Sequence, residues 1–394
     1  MFRSELPPQL HIRHPAAHVK HRLARSLAVL RRNFLITVIA CAGVASALLS
    51  LHAQSTVAAQ AEAGWRALGA GDSATAARIF FEALSRSPRD AQLNFGAGVA
   101  AHLLGRDRDA VESLRRAVEL DPKLVEASGL LGQIHYGQGE LDAAIAVYEQ
   151  ALAQTPWNRT LQSKLEEWKK EAAVHRTLER WNSRQFSVIF EGRSDAALAT
   201  RALAVLDAAY LRIGKAIGAY PSDRIVVALY TEQQFRDITH LPQWVDGAFD
   251  GRIRMPVSGA SKNLVQFDRV LTHELTHAMV HGLAQGGVPA WLHEGLASYF
   301  EPGDPALAAR RVKSFGAVIP LSQLQGGFIN LPEAGALLAY EESLVAADVL
   351  VRRLGEQTSI LIQYLGKGYS VDDALDLLGV DPADFQNGFY RRLR

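Results

Sequence analysis

Apolar and small residues between positions 57 and 158 return with a fixed period of 34. Phe80, Leu114 and Tyr148 are in register, as are Ala76, Ala110 and Ala144, Ala83, Ala117 and Ala151, Gly71, Gly105 and Gly139, and Pro88, Pro122 and Pro156. Each unit is long enough for two helices, and the pattern predicts three stacked helix pairs. The bulky position fills the space between helices, the small positions let helices approach, and the proline ends the second helix of each pair. On this reading Gly105 lies at a close approach between helices. A stacked array exposes its last apolar face. Residues 159–182, with Leu161, Leu165, Trp168, Ala172 and Val174 set among Lys and Glu, are therefore predicted to form a capping and linking helix.

Beyond 183 the periodicity changes. Segments 185–191 (QFSVIFE) and 224–231 (RIVVALYT) are rich in β-branched and aromatic residues and predict strands, separated by an amphipathic helix over about 195–217. A third strand is expected over 247–257, broken at Asp250-Gly251. From Val270 the pattern is helical: Leu271, Leu275, Ala278 and Met279 share one face, and His273, Glu274 and His277 the other. A second helix carries Trp291 and Glu294. A loop-rich stretch over 302–332 then precedes helices at 338–354, 359–365, 371–378 and 382–393, a small subdomain expected to close a cleft from below. The fold class expected is mainly α. A helical solenoid over 57–158 leads through the 159–182 link to an α+β domain over 183–394, with a small β-sheet and a helical subdomain.

The chain of 394 residues carries 42 Lys and Arg against 41 Asp and Glu. No concentrated basic field exists outside the first 33 residues, which argues against nucleic acid as a partner. One apolar run stands apart. Residues 34–51 (FLITVIACAGVASALLSL) are uncharged and as a helix would span about 27 Å, close to the hydrocarbon thickness of a bilayer. Arg3, Arg13, Lys20, Arg22, Arg25, Arg31 and Arg32 precede the run, and the first basic residue after it is Arg66. That asymmetry predicts a basic cytoplasmic segment over 1–33, a transmembrane anchor over 34–53 and the remainder outside. A bacterial inner-membrane protein, single pass with its catalytic domain in the periplasm, fits the pattern. Cleavage as a signal peptide near Ala53, with release to the periplasm, is the alternative. The one cysteine, Cys41, lies in the apolar run, so no intrachain disulfide can form.

The candidate chemistry lies in two short segments. His273-Glu274-Leu275-Thr276-His277 puts two imidazoles one turn apart on one helix face, within reach of a single metal ion, with Glu274 beside them. A second helix must bring a third ligand. Glu294, in Trp291-Leu292-His293-Glu294-Gly295, would leave the fourth tetrahedral position to a water whose proton Glu274 can take. His293 adjoins Glu294 but diverges from it by about 100° on a helix, so it is expected to face solvent. Trp291 is read as a packing anchor, and His281, one turn past His277, as a surface or packing residue.

At these residues the chain resembles the gluzincin metallopeptidases, most closely the peptidase-MA-like domains, in which H-E-x-x-H is followed by a helix reading P-x-W-L-x-E-G-x-A. Residues 289–297 match that block, and the likeness covers about the last half of the chain, from Gln185 onward. The 34-residue units resemble tetratricopeptide repeats. The gluzincin resemblance implies Zn2+ as cofactor, His273, His277 and Glu294 as its ligands and Glu274 as catalytic base. It also implies that an edge strand of the small sheet, here 251–256, pairs with the substrate backbone. In several gluzincins a Tyr or His from the helical subdomain reaches over the cleft, and Tyr340 is the candidate here for the donor that stabilises the oxyanion. In thermolysin-like members an acidic residue four positions after the ligand Glu orients a zinc-binding His. This chain has Ser298 there, which is expected to hold that His less firmly.

The expectation is a membrane-anchored zinc-dependent peptidase acting on a peptide or protein substrate, with the repeat groove recruiting that substrate or a protein partner. The alternative is a tetratricopeptide scaffold with a non-catalytic zincin domain. Ser298 favours it, and the intact set of His273, Glu274, His277 and Glu294 opposes it.

Overall fold

Three helix pairs carry the 34-residue period. The computed structural model describes residues 57–394 apart from 222–223, 242–244, 285, 302–303, 329–330 and 394. The pairs are α1 (57–69) with α2 (Ser73–Arg86), α3 (Ala91–Leu103) with α4 (Asp107–Leu120), and α5 (Val125–Gly137) with α6 (Leu141–Gln154). α7 (Arg159–His175) buries Leu161, Leu165, Trp168 and Ala172 against the last pair, as the capping role requires. The segments 1–33 and 34–53 lie outside the described residues. Among the described residues no helix is long and apolar enough to cross a membrane.

The close helix approaches fall at Gly96 and Gly132, not at Gly105. A Cβ on Gly96 would come 2.4 Å from the Phe80 ring, and one on Gly132 would come 2.3 Å from that of Tyr148. Gly96→Leu is accordingly expected to destabilise the array by about 1–3 kcal/mol through overpacking, read as a lower urea midpoint. Gly71, Gly105 and Gly139 sit instead in the turn inside each pair, at φ of +79°, +69° and +76°, where a side chain is strained. Those turns share a second property. A Cβ on Gly71 would lie 2.9 Å from Lys367 O, one on Gly105 3.5 Å from Gly282 O, and one on Gly139 2.6 Å from Val226 Cγ2. The row of turns is therefore seated on the C-terminal half of the chain.

That half is built on a five-stranded sheet of β1 (Glu179–Asn182), β2 (Phe186–Phe190), β3 (Ile225–Tyr230), β4 (Ala248–Phe249) and β5 (Ile253–Pro256). Its order is β1-β2-β3-β5-β4, with β2, β3 and β5 parallel and both outer strands antiparallel to their neighbours. Alternate residues Phe186, Val188, Val227 and Leu229 enter a core shared with α8 (Gly192–Ile217) and α10 (Leu264–Leu283). Ile189, Ala228 and Tyr230 face the other way, against Phe235 of α9 (Glu232–Thr239). The helices α11 (Ala290–Phe300), α12 (Pro305–Phe315), α13 (Glu333–Leu354), α14 (Thr358–Gly366), α15 (Val371–Leu377) and α16 (Pro382–Leu393) complete the domain.

Three expectations are corrected here. Residues 251–256 do not form the sheet edge: the turn at Asp250-Gly251 folds the chain back as a hairpin, β5 lies between β3 and β4, and β4 is the edge. The link over 159–182 is not helical throughout, because α7 stops at His175 and β1 follows. Glu-Arg-Trp-Asn has no alternating apolar pattern to reveal it, and only Trp181 reaches the core, edge-to-face on Phe190 at 4.8 Å. The stretch 302–332 contains α12, an amphipathic helix that buries Ala308 and Val312.

Where the array meets the sheet, Glu171 of α7 is buried between two arginines of the β4–β5 hairpin. Its Oε1 lies 2.9 Å from Arg252 Nη2 and 3.0 Å from Arg254 Nη1. Tyr136 of α5 donates to Glu171 Oε2 at 2.7 Å, accepts from Arg254 Nη2, and stacks under the Arg252 guanidinium at 3.9 Å. The two arginines outweigh Glu171 in charge, and Asp250 answers the excess with a bond of 3.0 Å to Arg254 Nε.

Candidate metal centre

His273 and His277 point from α10 toward Glu294 of α11. The Nε2 atoms of the two imidazoles lie 3.4 Å and 3.6 Å from the same oxygen, Glu294 Oε2. One donor atom from each of the three residues lies within 4.8 Å of the others. Donors at about 2.0–2.1 Å from a tetrahedral ion stand roughly 3.3 Å apart, so this spacing fits a divalent metal of zinc size. Packing fixes both helices. Leu271, Leu275 and Met279 are fully buried and turn the opposite face of α10 to the cleft. On α11, Trp291 is buried and stacks on Phe385, as its packing role predicts. A Cβ on Gly295 would stand only 2.2 Å from Ser343 O, so α11 lies directly on α13 and sets Glu294 opposite the imidazoles.

The partners behind the imidazoles differ from the sequence expectation. His273 Nδ1 donates to Glu301 Oε1 at 2.5 Å, and Arg269 Nε lies 3.2 Å from the other oxygen. The acid missing at Ser298 is thus replaced by one at the C-terminal end of α11. Because Glu301 lies outside the spacing at which thermolysin-like members place it, sequence alone offers no signal for it. His293 is not solvent-facing. Its ring stacks on that of His277 at 4.6 Å, and the two Nδ1 atoms are 2.6 Å apart. A metal-facing Nε2 must be bare, so His277 Nδ1 carries the proton and donates to His293. Such partners fix ring orientation and basicity. Glu301→Gln is expected to weaken metal affinity about 10–100-fold, measured by chelator competition.

Three carboxylates, the buried Glu274 and the half-buried Glu294 and Glu301, converge on this point, which favours a cation. Burial pulls the His273 imidazolium down, but hydrogen bonds to Glu294 and Glu301 outweigh it and hold the ring at about 10. Burial lowers His277 to about 3, leaving its ring neutral as a ligand must be. Burial also raises Glu274 to about 7, opposed by His273 and assisted by the negative charges of Glu294 and Glu301. A carboxylate poised there can both take and return a proton near neutral pH.

The remaining residues frame the cleft. A Cβ on Gly247 would lie 3.0 Å from Glu274 Oε1, so the chain entering β4 runs directly beside that carboxylate, another contact without a sequence signal. Tyr340 is partly exposed, packs edge-to-face on Phe328 at 5.2 Å, and is pushed up to about 12 by burial and then by the charges of Glu294 and Glu274. Its hydroxyl is therefore neutral and within the field of both carboxylates. His281 is not among the converging metal donors. Its ring packs against Phe249 at 5.4 Å, and its pKa is lowered by burial and by His102 of the second repeat, against a raising effect of Asp107.

Comparison with known proteins agrees with this architecture. Residues 205–390 match the Peptidase MA superfamily, and residues 62–125 and 105–158 match the tetratricopeptide repeat. The C-terminal half is thus a Peptidase MA superfamily domain, preceded by tetratricopeptide repeats. No curated protein matches the chain. Among solved structures, the TPR domain of P58(IPK) is similar at 14% identity, over 86% of this chain and 77% of that one. Its TM-score of 0.30 is too low to carry an argument.

Proposed function

We propose that this chain, a Peptidase MA superfamily domain behind a tetratricopeptide array, is a zinc-dependent peptidase that hydrolyses peptide bonds. The observation that carries the reading is the approach of His273, His277 and Glu294 to tetrahedral donor spacing, with Glu274 buried beside them. Zinc held there would supply a Lewis acid for the scissile carbonyl and lower the pKa of a water to about 7. Glu274 takes the proton of the attacking water on its carboxylate and passes it to the leaving amine. Glu301 and His293 hold the two imidazoles at Nδ1 and so orient both Nε2 atoms toward Glu294. The test is zinc content of the purified protein together with cleavage of an unbiased peptide library; absence of both removes the reading.

Tyr340 is assigned the oxyanion role. A neutral phenol donates a strong hydrogen bond without adding a charge that competes with the metal. Tyr340→Phe is expected to keep zinc content and melting behaviour while lowering the single-turnover rate by roughly 10²-fold. A wild-type rate would reject the assignment.

The repeats are assigned to holding the polypeptide substrate or a partner that delivers it. The basic residues ahead of the apolar run at 34–51 support an inner-membrane anchor with the catalytic domain in the periplasm.

A further inference from the structure

Between the array and the sheet lies a cavity of about 1040 Å³. Gln133 and Tyr136 of α5 and Trp168 of α7 line one side, and Ala248 and Phe249 of β4 with His281 of α10 line the other. The cavity reaches His293, the residue bonded to His277. Its size is at or above the upper end of roughly 300–1,000 Å³ typical for small-ligand pockets, which leaves room for several residues of peptide. Charges of both signs line it, among them Lys164 and Arg224 with Glu167 and Asp237, an arrangement unsuited to a polyanion.

Two features decide what can occupy this space. β4 is the last strand of the sheet among the described residues, so its outer edge offers backbone donors and acceptors that extended chain can pair with. The far wall is also fixed. The three repeat turns are seated on the catalytic domain, and the buried contacts of Glu171 with Arg252 and Arg254 tie the end of the array to the β4–β5 hairpin. An array held this way is a wall of a cleft and not a loose tether.

We infer that the second and third repeats and α7 form the far wall of the substrate cleft, and that its occupant is an extended polypeptide segment. The segment adds to the free edge of β4 while its side chains meet the array. Its identity as substrate rests on the peptidase reading. The geometry selects unfolded or extended stretches of protein, because a folded partner does not fit between β4 and α5.

The test uses the full chain loaded with zinc and carrying Glu274→Ala, so that bound peptide survives, with a fluorescent library of unstructured peptides long enough to span the cavity. Adding Gln133→Trp, which fills the array side at an exposed position, is expected to weaken peptide binding about tenfold or more. Bound peptide is also expected to protect the amides of α5 and β4 together from hydrogen exchange. Wild-type zinc content and melting of the variant separate a blocked cleft from a misfolded array. Unchanged affinity with no protection of α5 overturns the inference, even where the wild-type protein cleaves the library. Joint protection of α5 and β4 by peptides that the wild type never cleaves upholds the cleft and removes the peptidase reading instead.

Discussion

Glu274→Ala is expected to bind one zinc per chain as the wild type does, yet to hydrolyse peptides about 10²–10⁴-fold more slowly. The two halves of that result have separate causes. Glu274 is not among the three groups whose donor atoms converge, so its loss leaves the His273, His277 and Glu294 set whole. Its carboxylate is buried, is raised to about 7 by that burial, and stands beside the chain entering β4, where a bound peptide would lie. Among the described residues no other carboxylate at the centre is free to take the proton: Glu294 and Glu301 are both engaged with His273. Metal analysis and turnover of a cleaved library peptide measure the two halves independently. A variant that loses zinc would make Glu274 structural, and one that turns over at the wild-type rate would place the observed cleavage elsewhere.

The second large effect is expected far from the metal. Glu171→Ala should lower the stability of the full chain by about 3–5 kcal/mol, because it leaves Arg252 and Arg254 buried with Asp250 as their remaining carboxylate. The loss should depend on pH in a stated direction. Burial pushes the Glu171 carboxyl up, but Arg252 and Arg254 outweigh it and hold it at about 2, against an ordinary 4.5. A group whose folded pKa is depressed stabilises fully above its unfolded value and loses that contribution as pH falls toward the folded one. The difference between wild type and Glu171→Ala is therefore expected to be constant above about pH 4.5 and to shrink below it. Urea unfolding across that range measures it, and a difference that grows on acidification would contradict the charge assignment. His175 acts in the same direction in both proteins. Burial lowers it to about 4, so unfolding takes up a proton as pH falls below about 6.5.

Much of this protein is written locally in its sequence. The 34-residue register of Phe80, Leu114 and Tyr148 fixes three helix pairs because each depends on neighbours within its own unit. His273 and His277 are legible as a pair because a spacing of one helical turn puts them on one face whatever surrounds the helix. The block from Trp291 to Gly295 marks Glu294 for the same reason, since its spacing sets both the anchor and the side chain opposite it. What the sequence could not determine are the relations between surfaces. Glu301 in place of an acid at Ser298, and His293 stacked on His277, depend on how α10 and α11 rotate against each other. That β4 and not 251–256 forms the edge depends on which way the chain turns after Gly251. The pairing of Arg254 with Glu171 joins positions 83 residues apart and exists only once the array docks. Periodicity records the side of an element that is apolar. Only the packed structure decides what that side meets, because contact between distant segments is set by the whole core and not by any one stretch of chain.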